Sequence, residues 1–577
     1  MRAANVGVPV LREYALLADG HRGILVGPRG EIAWMCAPRW EDDGVFSSLL
    51  GGRGLYSVCP DDPHFVWGGF YDEGTLIWNT RWVTSDTVVE CREALAYPGQ
   101  AETAVVLRQI RAVRGRSRVR VHLDARAGFG RAAMADLAKE QGIWTARTGG
   151  LHLRWSGASG ARRRPDGGLE MTLTLEPSQA HDLVLEVATA PPEGEAPRPH
   201  GVWAVTDAAW HDAVPEMPDN VAPRDARHAY AVLRGLTSPS AGMVAAATMG
   251  LPERDEAGRN YDYRYAWIRD QCYAGEAMAV TRPLPLLDDA LAFVTARLLE
   301  DGPKLKPAYR VDGGTVPDER KVPHLAGYPG GGVRVGNWVN HQFQLDAFGE
   351  ALLLLGAAAR HDRMNVEQWQ AVEVAAAAVE ARAQDPDAGL WELDDHHWTH
   401  SRLICAAGLR SVAAAAPPAQ AASWSALADH MVAEVGAACV HQTGRWQRAP
   451  DDPRVDAALL LPAIRGAVAP DDPRSRATFE TVETELSEDG YLYRFRQDER
   501  PLGEAEGAFL LCGFVMALAA DQQGQQVKAR AWFERNRAAC GPPGLFTEEF
   551  DVAERQLRGN LPQAFVHAML LECAQRL

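Results

Sequence analysis

The stretch Arg118-Val-Arg-Val-His-Leu-Asp-Ala125 decides the first half of the fold. Val119, Val121, Leu123 and Ala125 share one face of an extended chain, while Arg118, Arg120, His122 and Asp124 share the other. Successive side chains of a strand point to opposite faces, so this is the pattern of a strand resting one face on a core. On either side the pattern returns in Leu151-His-Leu-Arg-Trp155, Leu169-Glu-Met-Thr-Leu-Thr-Leu175 and Leu183-Val-Leu-Glu-Val187, with turns such as Pro165-Asp-Gly-Gly168 between them. Residues 1–218 are therefore expected to form an antiparallel β-sandwich.

The texture changes after Pro215-Glu-Met-Pro-Asp-Asn220. Residues 219–245 read as a linker carrying a helix near 226–236. From 246 to 577 helical periodicity dominates, with alanine-rich stretches near 284–300, 342–360, 366–383, 401–415, 418–438, 504–521, 524–538 and 562–576. Shorter candidates lie near 270–281, 454–466 and 472–486. The stretch 348–359 is apolar nearly all round, so both its sides must be buried. Helices of similar length, some wholly buried, suit a double ring in which loops at one end surround a pit.

Composition excludes several classes of function. The chain has 577 residues, 46% hydrophobic, and a formal charge of −17. An acidic balance argues against phosphate backbones and anionic membranes, so neither nucleic acid nor membrane is expected as a partner. Association with further copies of the chain is left open. Nine scattered cysteines form no CxxC pair. With no secretory apolar core near the start and no membrane-length apolar run, a cytoplasmic setting is expected.

Three segments carry candidate chemistry. Asn260-Tyr-Asp-Tyr-Arg-Tyr-Ala-Trp-Ile-Arg-Asp270 crowds four aromatics, two Arg and two Asp into eleven residues before a helix. Aromatic faces and paired Arg and Asp hydrogen bonds suit a sugar ring; a buried network tying a loop to a helix start would use the same residues. Asp387-Ala-Gly-Leu-Trp-Glu-Leu-Asp-Asp-His396 sets Glu392 beside Trp391, where an indole can desolvate a carboxyl and favour its protonated form; a partly solvated loop carboxylate is the plainer alternative. Gly544-Leu-Phe-Thr-Glu-Glu-Phe-Asp551 offers Glu548 and Glu549 between aromatics. His396, His397 and His400 lack a further ligand at a defined spacing, so no metal is expected. Pro329-Gly-Gly-Gly-Val-Arg-Val-Gly336 lacks the Gly-Lys-Ser/Thr ending of a phosphate loop. Its glycines suit a long loop folding over the barrel mouth, and no cofactor is expected.

The segment 260–270 resembles the signature of glycoside hydrolase family 15, the glucoamylase, glucodextranase and bacterial trehalase group. Further blocks follow in family order: Tyr14-Ala-Leu-Leu-Ala-Asp-Gly20, Gln342-Phe-Gln-Leu-Asp-Ala-Phe-Gly349, Gly389-Leu-Trp-Glu392, Glu506-Gly-Ala-Phe509 and Gly559-Asn-Leu-Pro-Gln-Ala-Phe-Val-His567. The resemblance implies a β-sandwich followed by an (α/α)6 barrel, and an exo-acting hydrolase that inverts configuration at α-linked glucose. It implies Glu392 as general acid and Glu548 as general base, with carboxyl groups ~6.5–9.5 Å apart to admit a water. Arg269 and Asp270 would hold the terminal glucose, Tyr263 and Trp267 would line the pit, and Trp391 would pack on the acid. Glu549 and Glu506 are rivals for the base; Glu549 otherwise joins the substrate-binding set.

One departure bears on the substrate. Many bacterial members continue the acid motif as Trp-Glu-x-Arg-Gly, whereas here Leu393-Asp-Asp-His-His-Trp398 follows Glu392. A site remodelled in this way and bounded by Trp398 favours a short α-glucoside such as isomaltose, with trehalose and maltooligosaccharides as alternatives. A phosphorylase, which replaces the base with phosphate, and an inactive sugar-binding homologue are the competing classes.

Overall fold

A computed structural model describes residues 10–253, 259–328, 331–497 and 500–577. Residues 329 and 330 of the glycine-rich stretch lie outside the described residues.

Two eight-stranded antiparallel sheets form the N-terminal half. Ser117–Asp124 sits inside the first sheet, between Leu55–Pro60 and Leu169–Leu175. Val119, Val121 and Leu123 are buried and Arg118 and Arg120 exposed, because a register with one buried face fixes which residues point inward. The inner faces meet in a core that includes Ile24, Val58 and Val121 from the first sheet and Trp82, Ile110 and Leu185 from the second. Inside it Arg108 pairs with Glu93 at 2.7 Å, both side chains fully buried.

Strand Ala180–Ala188 departs from simple alternation. All of residues 183–187 are buried, because the helix Pro199–Ala213, which the sequence reading leaves inside the sandwich, lies against this strand. Its Trp203 and Trp210 join Leu107 and Val184 in a second core that continues into the helical half.

The helical half comprises α1 (Pro223–Leu236), α2 (Ile268–Ala277), α3 (Leu286–Asp301), α4 (Asp346–Arg360), α5 (Val366–Arg382), α6 (Thr399–Ala413), α7 (Pro418–Ala438), α8 (Leu461–Ile464), α9 (Pro473–Leu486), α10 (Leu510–Gln522), α11 (Gln526–Arg537) and α12 (Ala564–Arg576). The even-numbered helices touch one another in order, and α12 returns to α2, which closes an inner ring. The odd-numbered helices pack outside it. This is an (α/α)6 barrel. Residues 346–358 of α4 are all buried, as an apolar inner helix requires. The segment 219–245, expected as a linker, contains α1, whose partner is α12 in the barrel wall.

The helix expected from 504 starts only at Leu510, because Ala508–Phe509 pairs as a strand with Glu549–Asp551. That small sheet sets the Glu506 and Glu548 segments side by side.

Candidate active site

At one end of the barrel a cavity of about 330 Å³ is lined by residues from the loops that precede α2, α4, α6, α10 and α12. Segment 260–270 forms one wall, and its extended backbone sends alternate side chains in opposite directions. Tyr261, Tyr263 and Trp267 face the cavity. Asp262 and Arg264 turn away: they pair at 2.7 Å, and Arg264 donates to the carbonyl oxygens of Trp40 and Asp42 in the sandwich. The motif is thus both cavity wall and buried network. Short strand Ala266–Trp267 pairs with Ala308–Tyr309 and leads into α2, whose first turn carries Arg269 and Asp270 into the same cavity.

Glu392 stands in the tight turn between α5 and α6. Gly389 adopts φ +66° there and Glu392 itself φ +53°, a left-handed conformation costing a non-glycine residue ~1–2 kcal/mol. The turn is fixed from below. Asp387 accepts hydrogen bonds from the Gly389 N–H and the Ser401 hydroxyl, each at 2.8 Å. A β-carbon on Gly389 would lie 2.6 Å from the Trp398 ring. The Glu392 carboxylate, its side chain 27% exposed, accepts from the Trp267 indole N–H at 2.8 Å and from Arg269 at 3.5 Å. Arg269 is aimed by Gln344 at 2.9 Å and Asp346 at 3.7 Å. The indole that donates to Glu392 is therefore Trp267; Trp391 lines the cavity with its ring edge-to-face on Phe509 at 5.3 Å.

Glu548 lines the cavity and is 6% exposed. It accepts from the Tyr263 hydroxyl at 3.2 Å. Burial first, then the neighbouring Glu253 carboxyl, push it well above the ordinary glutamate range. Asp270, also buried, has one carboxyl oxygen with no protein partner, and burial raises it to about 7. The rings of Tyr263 and Trp267 meet edge-to-face at 5.5 Å, linking the donor on Glu392 to the donor on Glu548.

Seven of the nine residues expected at the site line this cavity: Glu392, Glu548, Tyr263, Trp267, Arg269, Asp270 and Trp391. The other two do not. Trp398 lies beneath the Glu392 turn, with Arg448 over its ring at 5.2 Å, and supports that loop rather than bounding the cavity. Glu549 is fully buried behind the wall, accepting from the Gly507 N–H at 2.8 Å. Glu506, the other rival base, is held by Arg494 at 2.7 Å and Arg259 at 3.1 Å; despite its burial these cations bring it below the ordinary range.

Sequence reasoning missed Glu253, Asn337, Trp338, Gln342 and Arg494, which also line the cavity. Arg494 stands in Tyr491-Leu-Tyr-Arg-Phe495, an aromatic-flanked arginine like those of 260–270, and that texture could have marked it. Glu253 carries no such signal. The three histidines diverge: His396 meets Asp451 at 2.8 Å, His397 meets Arg402, and His400 is buried on α6. Among the described residues no group of His, Cys, Asp or Glu is arranged to hold a metal, and no helix is long and apolar enough to cross a membrane.

The comparisons agree with this geometry. The model of glycosyl hydrolases family 15 matches residues 226–575, and that of the trehalase-like N-terminal domain matches residues 5–190. A trehalase of Mycobacterium tuberculosis is 28% identical over 98% of this chain and 89% of its own length. Trehalase 1 of Sulfolobus acidocaldarius is 34% identical over 60% of this chain and 62% of its own. A bacterial glucoamylase solved with acarbose shares the fold, with a TM-score of 0.69 at 11% identity over 98% of this chain and 95% of that one. With the family model covering well over half its length, the chain belongs to glycosyl hydrolase family 15 and is a glycoside hydrolase.

Proposed function

We propose that the protein is an inverting, exo-acting hydrolase of short α-glucosides that releases β-glucose from the non-reducing end. One observation carries this reading. Glu392 and Glu548, on loops far apart in sequence, line a single cavity, and each is oriented by its own donor from segment 260–270.

Glu392 gives its proton to the glycosidic oxygen as the C1–O bond breaks. Glu548 takes a proton from a water that attacks C1 on the opposite face, so the new C1–O bond has the inverted configuration. Arg269 and Asp270 bind hydroxyls of the terminal glucose, and Tyr263 and Trp267 flank its ring.

Trehalose is the substrate supported by the relatives, two of which bear that activity in their names. Isomaltose is the second reading, favoured by the acid loop: Leu393 lines the cavity, and no arginine follows Glu392 before Trp398. Nine free cysteines, seven of them buried, suit a reducing compartment such as the cytoplasm.

The test is a sugar-release panel over trehalose, isomaltose and maltose, with the anomers followed by NMR. Inverting hydrolysis of trehalose gives one β-glucose and one α-glucose at first, while retention gives two α. Two α anomers overturn inversion. Glucose 1-phosphate formed only when phosphate is added would replace the hydrolase with a phosphorylase. Faster turnover of isomaltose than of trehalose selects the second reading.

A further inference from the structure

Glu253 is a further carboxylate in the cavity, 5% exposed and without a part in the steps above. Its place is set by backbone pairing. The Gly559 N–H donates to the Pro252 carbonyl at 2.8 Å, which joins the Glu253 segment to the end of the hairpin that follows Glu548. Gly559 has φ +88°, and a β-carbon there would lie 3.7 Å from the Glu548 β-carbon and 3.9 Å from the Glu253 γ-carbon. The two glutamate side chains therefore flank one point, and the glycine leaves the gap between them open.

Among the described residues the surrounding charges do not balance. Arg494 lies 3.9 Å from Glu253, 2.7 Å from Glu506 and 3.5 Å from Glu549, and Arg259 adds a second cation at Glu506. Two guanidinium groups face four buried carboxyls, Glu253, Glu506, Glu548 and Glu549, with Asp270, Glu392 and Tyr263 beyond them. Like charges this close cannot all ionise together. Glu506 takes the strongest ion pair, so the shortage of positive charge falls on the others.

We propose that Glu253 is a positioning residue of the hydrolysis, acting through Glu548: the two side chains flank Gly559, and the charge on Glu253 governs how firmly Glu548 holds the proton taken from water. The proposal rests on the reading of Glu548 as base. Glu253 is raised to about 7, principally by burial, and Glu548 is held well above the ordinary glutamate range, with Glu253 as its strongest charged neighbour. Where Glu253 is charged, its charge opposes the ionisation of Glu548.

The test is the pH profile of kcat/KM for the full chain and its E253Q, E253D and E548Q variants. In E253Q the charge is gone, so Glu548 ionises more readily. The acid limb moves down by about half a pH unit or more, roughly a threefold or larger relative gain at the low-pH end. E253D keeps the charge and keeps the limb near its wild-type place. A limb that stays put or moves upward in E253Q overturns the proposal. Loss of all activity in both E253Q and E253D, with folding intact by circular dichroism, also overturns it, because a tuning role leaves a working base. E548Q separates the two readings: an active E548Q removes the base assignment itself. An inactive E548Q beside an unmoved E253Q limb removes only the role of Glu253.

Discussion

On one side of the cavity Glu392 meets donors: the Trp267 N–H, the Arg269 guanidinium, and a turn braced by Asp387 and Trp398. On the other side Glu548 meets mostly acceptors, with Glu253 and Glu549 nearby and a single hydroxyl, from Tyr263, to receive from. The side of the proposed acid fixes where a carboxyl points, through a strained turn and two hydrogen bonds. The side of the proposed base fixes how strongly a carboxyl seeks a proton, through burial and like charge. An acid must be aimed at one oxygen of the substrate. A base must draw a proton from water, and crowding by other carboxyls increases that appetite.

The largest expected effect separates the two sides outright. E392Q and E548Q should each lower kcat on a glucoside by about 10³-fold or more, the range of general acid or base loss combined with misplaced water. α-Glucosyl fluoride distinguishes them, because fluoride leaves with little help from an acid. E392Q should recover most of its activity on that substrate and E548Q should not. Equal recovery by both variants would break the division of labour. Asp270 comes next, since it lies close enough to influence both carboxyls. Asp270 lines the cavity, and a hydrogen bond from a sugar hydroxyl to a charged group contributes ~1.5–3 kcal/mol. D270N should therefore lower kcat/KM by about 10–100-fold. A drop seen in kcat alone, with KM unchanged, would move Asp270 from binding to chemistry.

W267F probes the acid side alone. It removes the 2.8 Å indole donor to Glu392 but keeps an aromatic wall. The expected loss is about tenfold in kcat, the worth of ~1–1.5 kcal/mol. The loss should shrink on α-glucosyl fluoride, where the aim of the acid matters less.

The limits of reading such a site from sequence follow from the same contrast. Residues 118–125 and 348–359 were legible because burial of one face, or of every face, is written in local periodicity. The helix Pro199–Ala213 was not: it has only three buried positions, Trp203, Thr206 and Trp210, and so leaves little periodic trace. Its effect on Val184 and Glu186, buried on the second face of their strand, depends on a layer that the strand's own pattern does not name. On the acid side Glu392, Trp267 and Arg269 belong to dense motifs, and their meeting in one cavity was legible. Trp398, in the same run of residues as Glu392, was expected at the cavity edge; sequence proximity does not say that a left-handed turn places it underneath. On the base side Glu253, Arg494 and Glu506 meet only because the ring closes, and Glu253 has no sequence neighbour that announces the meeting.

The smallest expected effect isolates the hydroxyl that donates to Glu548. The hydroxyl of Tyr263 donates to Glu548 at 3.2 Å, and that bond favours the ionised carboxylate, against the burial and like charge that oppose it. Y263F keeps the ring, so the edge-to-face contact with Trp267 and the sugar-facing wall persist. Without the hydroxyl, Glu548 is harder to ionise. The base must be ionised to accept the proton of water, so activity should begin to fall at a higher pH than in the wild type. The acid limb of kcat/KM should move up by a few tenths of a unit, with about a two- to threefold loss on that limb and little change on the alkaline side. E253Q pushes the same limb the other way, so the double variant should lie between the two singles. If Y263F and E253Q move the limb in the same direction, the base side is not governed by opposing charge and hydrogen-bond effects, and the contrast between the two halves of the cavity fails on that side.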